Sequence, residues 1–303
     1  MVTPEISEFS YGFALTNELV GWTALQAAPI FPSLIEEGKA SGGYDVRLDL
    51  PGAPLFLQFK RADCMMRLAA REISKHGLDL KVPFFRFGIT ERKRSFQHTS
   101  LVALDDGQNL VFYAAPRFHT LAQINSAWTA KTVVQRSIFV APQQIGLIAD
   151  DDRHVIAYDA RRTYFCSEPR ELTPLSIGDL RQKIESKLDH AAELTLRTQL
   201  EGWRENLRDA AARAHEMQME VEAAILAGRE DIIGVTAPEI RAYLEPEQLT
   251  FETEGVPLSP MEIRPSRDLG PEAALLRDLS DEARRRFNAQ FYVVQRHPPI
   301  QPK

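Results

Sequence analysis

The stretch from Gly42 to Lys60, GGYDVRLDLPGAPLFLQFK, constrains the chain more than any other. Its alternating apolar and polar residues predict two strands. Pro51-Gly52-Ala53-Pro54 predicts the tight turn between them, because proline fixes φ and glycine tolerates positive φ. With that loop, Leu50 lies opposite Leu55, Leu48 opposite Leu57, Arg47 opposite Gln58 and Asp45 opposite Lys60. Side chains alternate across a strand, so Asp45, Arg47, Gln58 and Lys60 share one face. Val46, Leu48, Leu50, Leu55, Leu57 and Phe59 form an apolar layer on the other. A register slip of one residue would separate the carboxylate, the amide and the ammonium.

At 303 residues the chain is long enough for one large or two medium domains around a sizeable core. No apolar run approaches the roughly 20 residues that a membrane helix needs, and the first residues carry no basic-then-apolar pattern of a secretory signal. Cys64 and Cys166 are the only cysteines, too few for a disulfide framework or a zinc pattern. The expectation is a reduced, cytoplasmic protein with no membrane partner. The net charge of −6 argues against a uniformly basic surface. It is unevenly spread: residues 1–170 hold 19 basic and 18 acidic side chains, and residues 171–303 hold 17 and 24. The half with the hairpin repels a polyanion less.

Helices and strands interleave up to about residue 165. Helical spacing covers Phe9 to Ala27 and Arg61 to His76, the latter with Gly77 as its C-cap. Pro83 to Ile89, Leu110 to Ala115, Ser137 to Ala141 and His154 to Tyr158 read as strands. Ser95 to Leu104 reads as a helix capped by Ser95. From Ser176 to Ala227 apolar residues recur at steps of three and four, predicting one amphipathic helix or two broken near Gly202. A last helix is expected over Pro271 to Gln290, followed by a frayed tail. The fold class is therefore α/β, a mixed sheet flanked by helices, followed by a mainly α-helical C-terminal region. The expected domains are 1–170 and 171–303. The apolar stripe of the second needs a partner, within the chain, from a second copy or in a multi-subunit complex.

Phosphodiester hydrolysis requires a hard cation held by oxygen ligands and a positive charge near the attacking water. Asp45 offers a carboxylate, Gln58 an amide oxygen with a backbone carbonyl beside it, and Lys60 the cation. Glu18 can approach from the first helix as another acid. Gly-x-Asp, twelve residues, then Gln-x-Lys, after a helix bearing Glu, resembles the PD-(D/E)xK restriction-endonuclease-like superfamily. The Gln-x-Lys form is similar to its Mrr-type variant. The resemblance covers residues 5–165 and implies a restriction-endonuclease-like nuclease domain that uses magnesium or manganese. Its substrate would be DNA, in restriction or phage defence. Asp45, Gln58 and Lys60 would be catalytic, with Asp45, Gln58 and Glu18 around the metal. Gln58 stands where the family carries Asp or Glu, which leaves open a catalytically degenerate protein that binds nucleic acid or acts as a subunit.

Arg92, Lys93 and Arg94 form a basic cluster, and Gln97 and His98 follow in the first turn of the expected helix. Their functional reading is contact with nucleic-acid phosphates; the plain one is a solvated loop and helix start. His119 and His154 read as structural. Asp150-Asp151-Asp152 lacks the alternating ligands of a calcium loop. No phosphate-binding Gly-x-x-x-x-Gly-Lys-Ser/Thr loop and no Gly-x-Ser-x-Gly elbow is present.

Overall fold

The computed structural model describes residues 2–20, 52–191, 194–233 and 271–295. Asp45, Arg47 and the first strand of the expected hairpin lie outside them. The elements run α1 (Glu8–Val20), β1 (Gly52–Phe59), β2 (Asp63–Met65), α2 (Arg71–Ser74), β3 (Phe84–Ile89), α3 (Gln97–Leu104) and β4 (Leu110–Pro116). They continue as α4 (Leu121–Thr129), β5 (Ser137–Val140), α5 (Pro142–Ile145), β6 (His154–Tyr158), β7 (Thr163–Phe165) and β8 (Arg170–Leu172). The last are α6 (Ile177–Ala191), α7 (Leu196–Ile233), α8 (Pro271–Phe287) and β9 (Gln290–Gln295). The protein is a mixed α/β structure, with sheets flanked by helices and a long helical region.

Two sheets form. One has the order β5-β4-β1-β9 and the other β2-β3-β6-β7-β8. β1 runs parallel to β4, with Leu55 beside Leu110 and Gln58 beside Tyr113. It runs antiparallel to β9, with Gly52 beside Gln295 and Leu57 beside Gln290. Both edges of β1 are therefore taken at Leu55 and Leu57, which excludes the expected pairings with Leu50 and Leu48. The expected turn at 51–54 is also corrected, because Gly52, Ala53 and Pro54 are extended and pair with β9. Pro54 is tolerated because the ladder with β4 begins only at Leu55.

Alternation along β1 divides the core. Phe56 joins Tyr113, Phe87, Tyr158 and Leu101 between the two sheets and α3. Ala53, Leu55, Leu57 and Phe59 face the other way, toward α1, α4 and α6. The helices follow from their spacing: α6 buries Leu180, Ile184 and Leu188 on this second face, and α7 buries Leu200, Leu207, Ala210 and Ala214. α8 buries Leu276, Leu279, Ala283 and Phe287. Residues beyond 170 thus supply an edge strand of the first sheet, β9, and two helices of the main core. Arg213 pairs with Asp106 at 2.9 Å, and Asn109 donates to Asn206 Oδ1 at 2.6 Å, fixing α7 to the turn before β4.

Two expected helical stretches change. Asp63–Met65 is a strand, not the start of a helix, because Cys64 pairs with Val2 and Phe85; only Arg71–Ser74 is helical. Gly77 is left-handed at φ 65°, as its reading as a helix terminator requires. α6 and α7 separate between 191 and 196 rather than at Gly202, which lies inside α7.

Gly12 brings α1 onto the sheet. A Cβ there would lie 2.7 Å from the Phe59 ring, and Phe59 is buried and packed edge-on against Tyr11 at 5.9 Å. Gly12→Ala gains about 1 kcal/mol of helix propensity but overpacks this contact at a cost of about 1–3 kcal/mol. The expected result is a net loss of stability, read as a lower urea midpoint. An unchanged or raised midpoint would show that Phe59 yields freely.

Candidate functional site

The site lies at the end of β1. Lys60 N donates to Ala114 O at 2.9 Å, extending the ladder with β4 one residue past the strand. Gln58 and Lys60 share a face, as alternation requires, but that face is packed rather than open. Lys60 is only 7% exposed, with Nζ 5.4 Å from the centre of the Tyr113 ring. Gln58 Oε1 accepts a hydrogen bond from Gln97 Nε2 at 2.6 Å. The same nitrogen lies 3.4 Å from Asn288 O, on the turn into β9.

His98 sits one residue further along α3, stacked on Tyr113 with ring centres 6.0 Å apart. Its Nε2 lies 2.8 Å from Gly146 O and its Nδ1 2.9 Å from the Tyr113 hydroxyl. A carbonyl only accepts, so Nε2 carries a proton. Burial disfavours a second one, so the ring is neutral and Tyr113 donates to Nδ1. Burial pushes the His98 imidazole down to about 4, with the Gly146 bond opposing and His154 and Lys60 adding to the shift. Burial likewise raises the Tyr113 phenol and lowers the Lys60 ammonium. The Glu8 carboxylate, at the start of α1, works against the shift of Lys60. Glu8 also accepts from Arg61 N at 3.1 Å, which places it beside Lys60.

Of the residues singled out in the sequence, Gln58, Lys60, Gln97 and His98 come together. Gln97 and His98 do so as buried groups, at 6% and 5% exposure, so their expected role as phosphate contacts is corrected. Glu18 does not join them. It lies ten residues beyond Glu8, about 15 Å along a helix rising about 1.5 Å per residue. α1 packs on the opposite sheet face from Gln58, and Glu18 Oε2 accepts from Val133 N at 2.6 Å.

The basic cluster is charge-compensated. Arg92 is largely buried between Asp151 at 2.7 Å and Glu222 at 4.0 Å. Lys93 and Arg94 both pair with Glu91, at 3.6 and 3.1 Å. These last two remain exposed, and such surface pairs are weak enough to open for another anion.

Sequence reasoning missed Glu8 and Tyr113. Nothing local marks Glu8, since its approach to Lys60 depends on how α1 docks. Tyr113 is reachable only through the parallel pairing that sets it beside Gln58. Among the described residues, no group of three or more His, Cys, Asp or Glu side chains is placed to hold a metal ion. No helix there is long and apolar enough to cross a membrane. No protein-family model, curated protein or solved structure matches the chain.

Proposed function

We propose that the chain is a metal-dependent endonuclease of the restriction-endonuclease-like PD-(D/E)xK class. It would act on DNA in the cytoplasm, in restriction or phage defence. The observation that carries this reading is a buried lysine two residues after Gln58, on one face of an inner strand, with a carboxylate close by. Burying an ammonium without full compensation is costly, so such a group is a better candidate for function than for stability.

Magnesium or manganese, when bound, would polarise the phosphodiester and make water more acidic. The donor chemistry suits a hard cation: Asp45 is assigned from the sequence, and Glu8 and the carbonyl of Phe59 add oxygens near Lys60. In this reading Lys60 holds positive charge against the phosphate and orients the attacking water. Tyr113 keeps the ammonium in place through its ring, and His98 fixes Tyr113.

One observation favours a second reading, a degenerate nuclease fold that binds nucleic acid or serves as a subunit. The Gln58 oxygen already accepts from Gln97, which leaves a neutral amide with one lone pair where the class carries a charged carboxylate. The test is a cleavage panel of duplex DNA, single-stranded DNA and RNA with magnesium or manganese. DNA should be cut by the wild type. Asp45→Ala and Lys60→Ala should each lose about 100-fold or more while melting near the wild type. Cleavage retained by both variants would sink the nuclease reading. DNA binding without cleavage, weakening as salt rises, would support the second.

A further inference from the structure

A second cleft lies on the opposite side of the first sheet, where α1, α4 and α6 meet. It has a volume of about 370 Å³, and Asn17, Glu18, Trp128, Lys131, Val133 and Arg181 are among its lining residues. Small-molecule pockets run from about 300 to 1,000 Å³, so this one suits a single small ligand.

Its charges are balanced and held apart. Arg181 has a partner of its own, which leaves one cation, Lys131, and one carboxylate, Glu18. The two line the same cleft and make no ion pair with each other. They are nonetheless neighbours. Glu18 Oε2 accepts from Val133 N at 2.6 Å, and Val133 is two residues on from Lys131, a span of at most about 7 Å. The other Glu18 oxygen accepts no hydrogen bond among the described residues. Asn17 adds a donor and an acceptor.

The end of α4 holds the cation and the apolar wall together. Thr132 N donates to Ala127 O at 2.9 Å and Lys131 N to Trp128 O at 3.1 Å, with Lys131 left-handed at φ 52°. Glycine is the usual residue at such a helix end, and a lysine there carries backbone strain that glycine would not. Trp128 is 41% exposed, and its ring stacks on Phe13 with centres 5.7 Å apart and planes 11° apart. Phe13 does not line the cleft. One face of the indole is therefore covered, which fixes the ring, and aromatic surface is left for a ligand.

We infer that this cleft binds a free α-amino acid with an aromatic side chain, its ammonium on Glu18, its carboxylate on Lys131 and its ring against Trp128. An α-amino acid is a zwitterion with both charges on one carbon, so it satisfies two neighbouring opposite charges that do not meet each other. A simple amine would leave Lys131 unused, and a simple acid would leave Glu18 unused. An amino acid without a ring would leave Trp128 bare. The site does not depend on the Lys60 centre, since Glu18 lies about 15 Å along α1 from Glu8.

Calorimetric titration of the full chain with L-phenylalanine, phenethylamine, hydrocinnamate and glycine tests it. L-phenylalanine should bind. Phenethylamine lacks the carboxylate, hydrocinnamate the ammonium and glycine the ring, and each should bind about ten-fold or more weakly. Glu18→Gln keeps an acceptor for Val133 N. It should weaken L-phenylalanine about ten-fold and leave hydrocinnamate unchanged. Lys131→Gly should weaken L-phenylalanine by a similar factor and leave phenethylamine unchanged. Its melting temperature should hold or rise, since glycine accepts the left-handed backbone. Trp128→Ala should weaken L-phenylalanine about ten-fold and leave glycine unchanged. Three outcomes would overturn the inference. They are no L-phenylalanine binding at millimolar concentration, phenethylamine or hydrocinnamate binding as tightly as L-phenylalanine, or an L-phenylalanine affinity unchanged in both Glu18→Gln and Lys131→Gly.

Discussion

Replacing Lys60 with methionine is expected to give a protein that melts a few degrees higher than the wild type and has lost its magnesium-dependent cleavage. The ammonium is 7% exposed and faces the Tyr113 ring. Burial is the main influence on it and disfavours its charge, with Glu8 only partly opposing. Methionine keeps the length and apolar stem, and its sulfur packs well against an aromatic ring. The pH dependence separates this cause from simple packing. The unfolded chain holds the Lys60 proton up to the ordinary value of 10.5, whereas the folded chain releases it earlier. The wild type therefore gains stability as pH rises through that window, and the methionine variant does not. Melting curves at pH 7 and pH 10 should show the advantage of the variant shrinking. A variant less stable than the wild type at pH 7 would mean that the ammonium supports the fold.

Acid should destabilise the protein through His98. The unfolded chain protonates this residue below its ordinary value of 6.5, and the folded chain does so only near 4. Between those values the unfolded state binds more protons, so stability falls as pH falls through this window. At about 1.36 kcal/mol per pH unit, the loss is about 3 kcal/mol. Protonation would also make Nδ1 a donor facing a hydroxyl that must then turn to accept. His98→Gln is the matched control, since its amide can accept from Tyr113 and donate to Gly146 while holding no titrating charge. Urea unfolding at pH 7, 5.5 and 4 should show the wild type losing about 3 kcal/mol more than the variant. Equal losses would place the acid sensitivity in the carboxylates that both proteins share.

The legible parts of the fold were those decided by local periodicity. His154–Tyr158 is the strand its sequence predicts, Leu110 opens β4, and the three- and four-residue steps after Ser176 become α6 and α7. What failed depended on distant partners. Gly52 to Pro54 has the composition of a turn and becomes a strand because β9 lies alongside. Asp63 to Met65 has helical spacing and becomes a strand because Val2 and β3 flank Cys64. β9 itself was passed over, although Phe291, Tyr292, Val293 and Val294 carry the aromatic and branched residues of a strand.

The candidate site divides in the same way. Two residues apart on a strand means one face, so the Gln58–Lys60 relation was open to paper reasoning. Whether that face meets water or Tyr113, Gln97 and His98 was not. Glu18 and Glu8 look alike in the sequence, and only the docking of α1 decides which of them stands beside Lys60.

The pairing of β1 with β9 has a consequence for how the protein is made. Synthesis runs from the N-terminus and domains fold as they emerge, so β1 is available long before residues 290–295 exist. Until then the strand that carries Gln58 has one free edge, and Gln97 lacks the carbonyl of Asn288. The Lys60 centre is therefore finished only after β9 has left the ribosome. A chain cut short before β9 would carry every residue of that centre named here and still lack the strand that closes it.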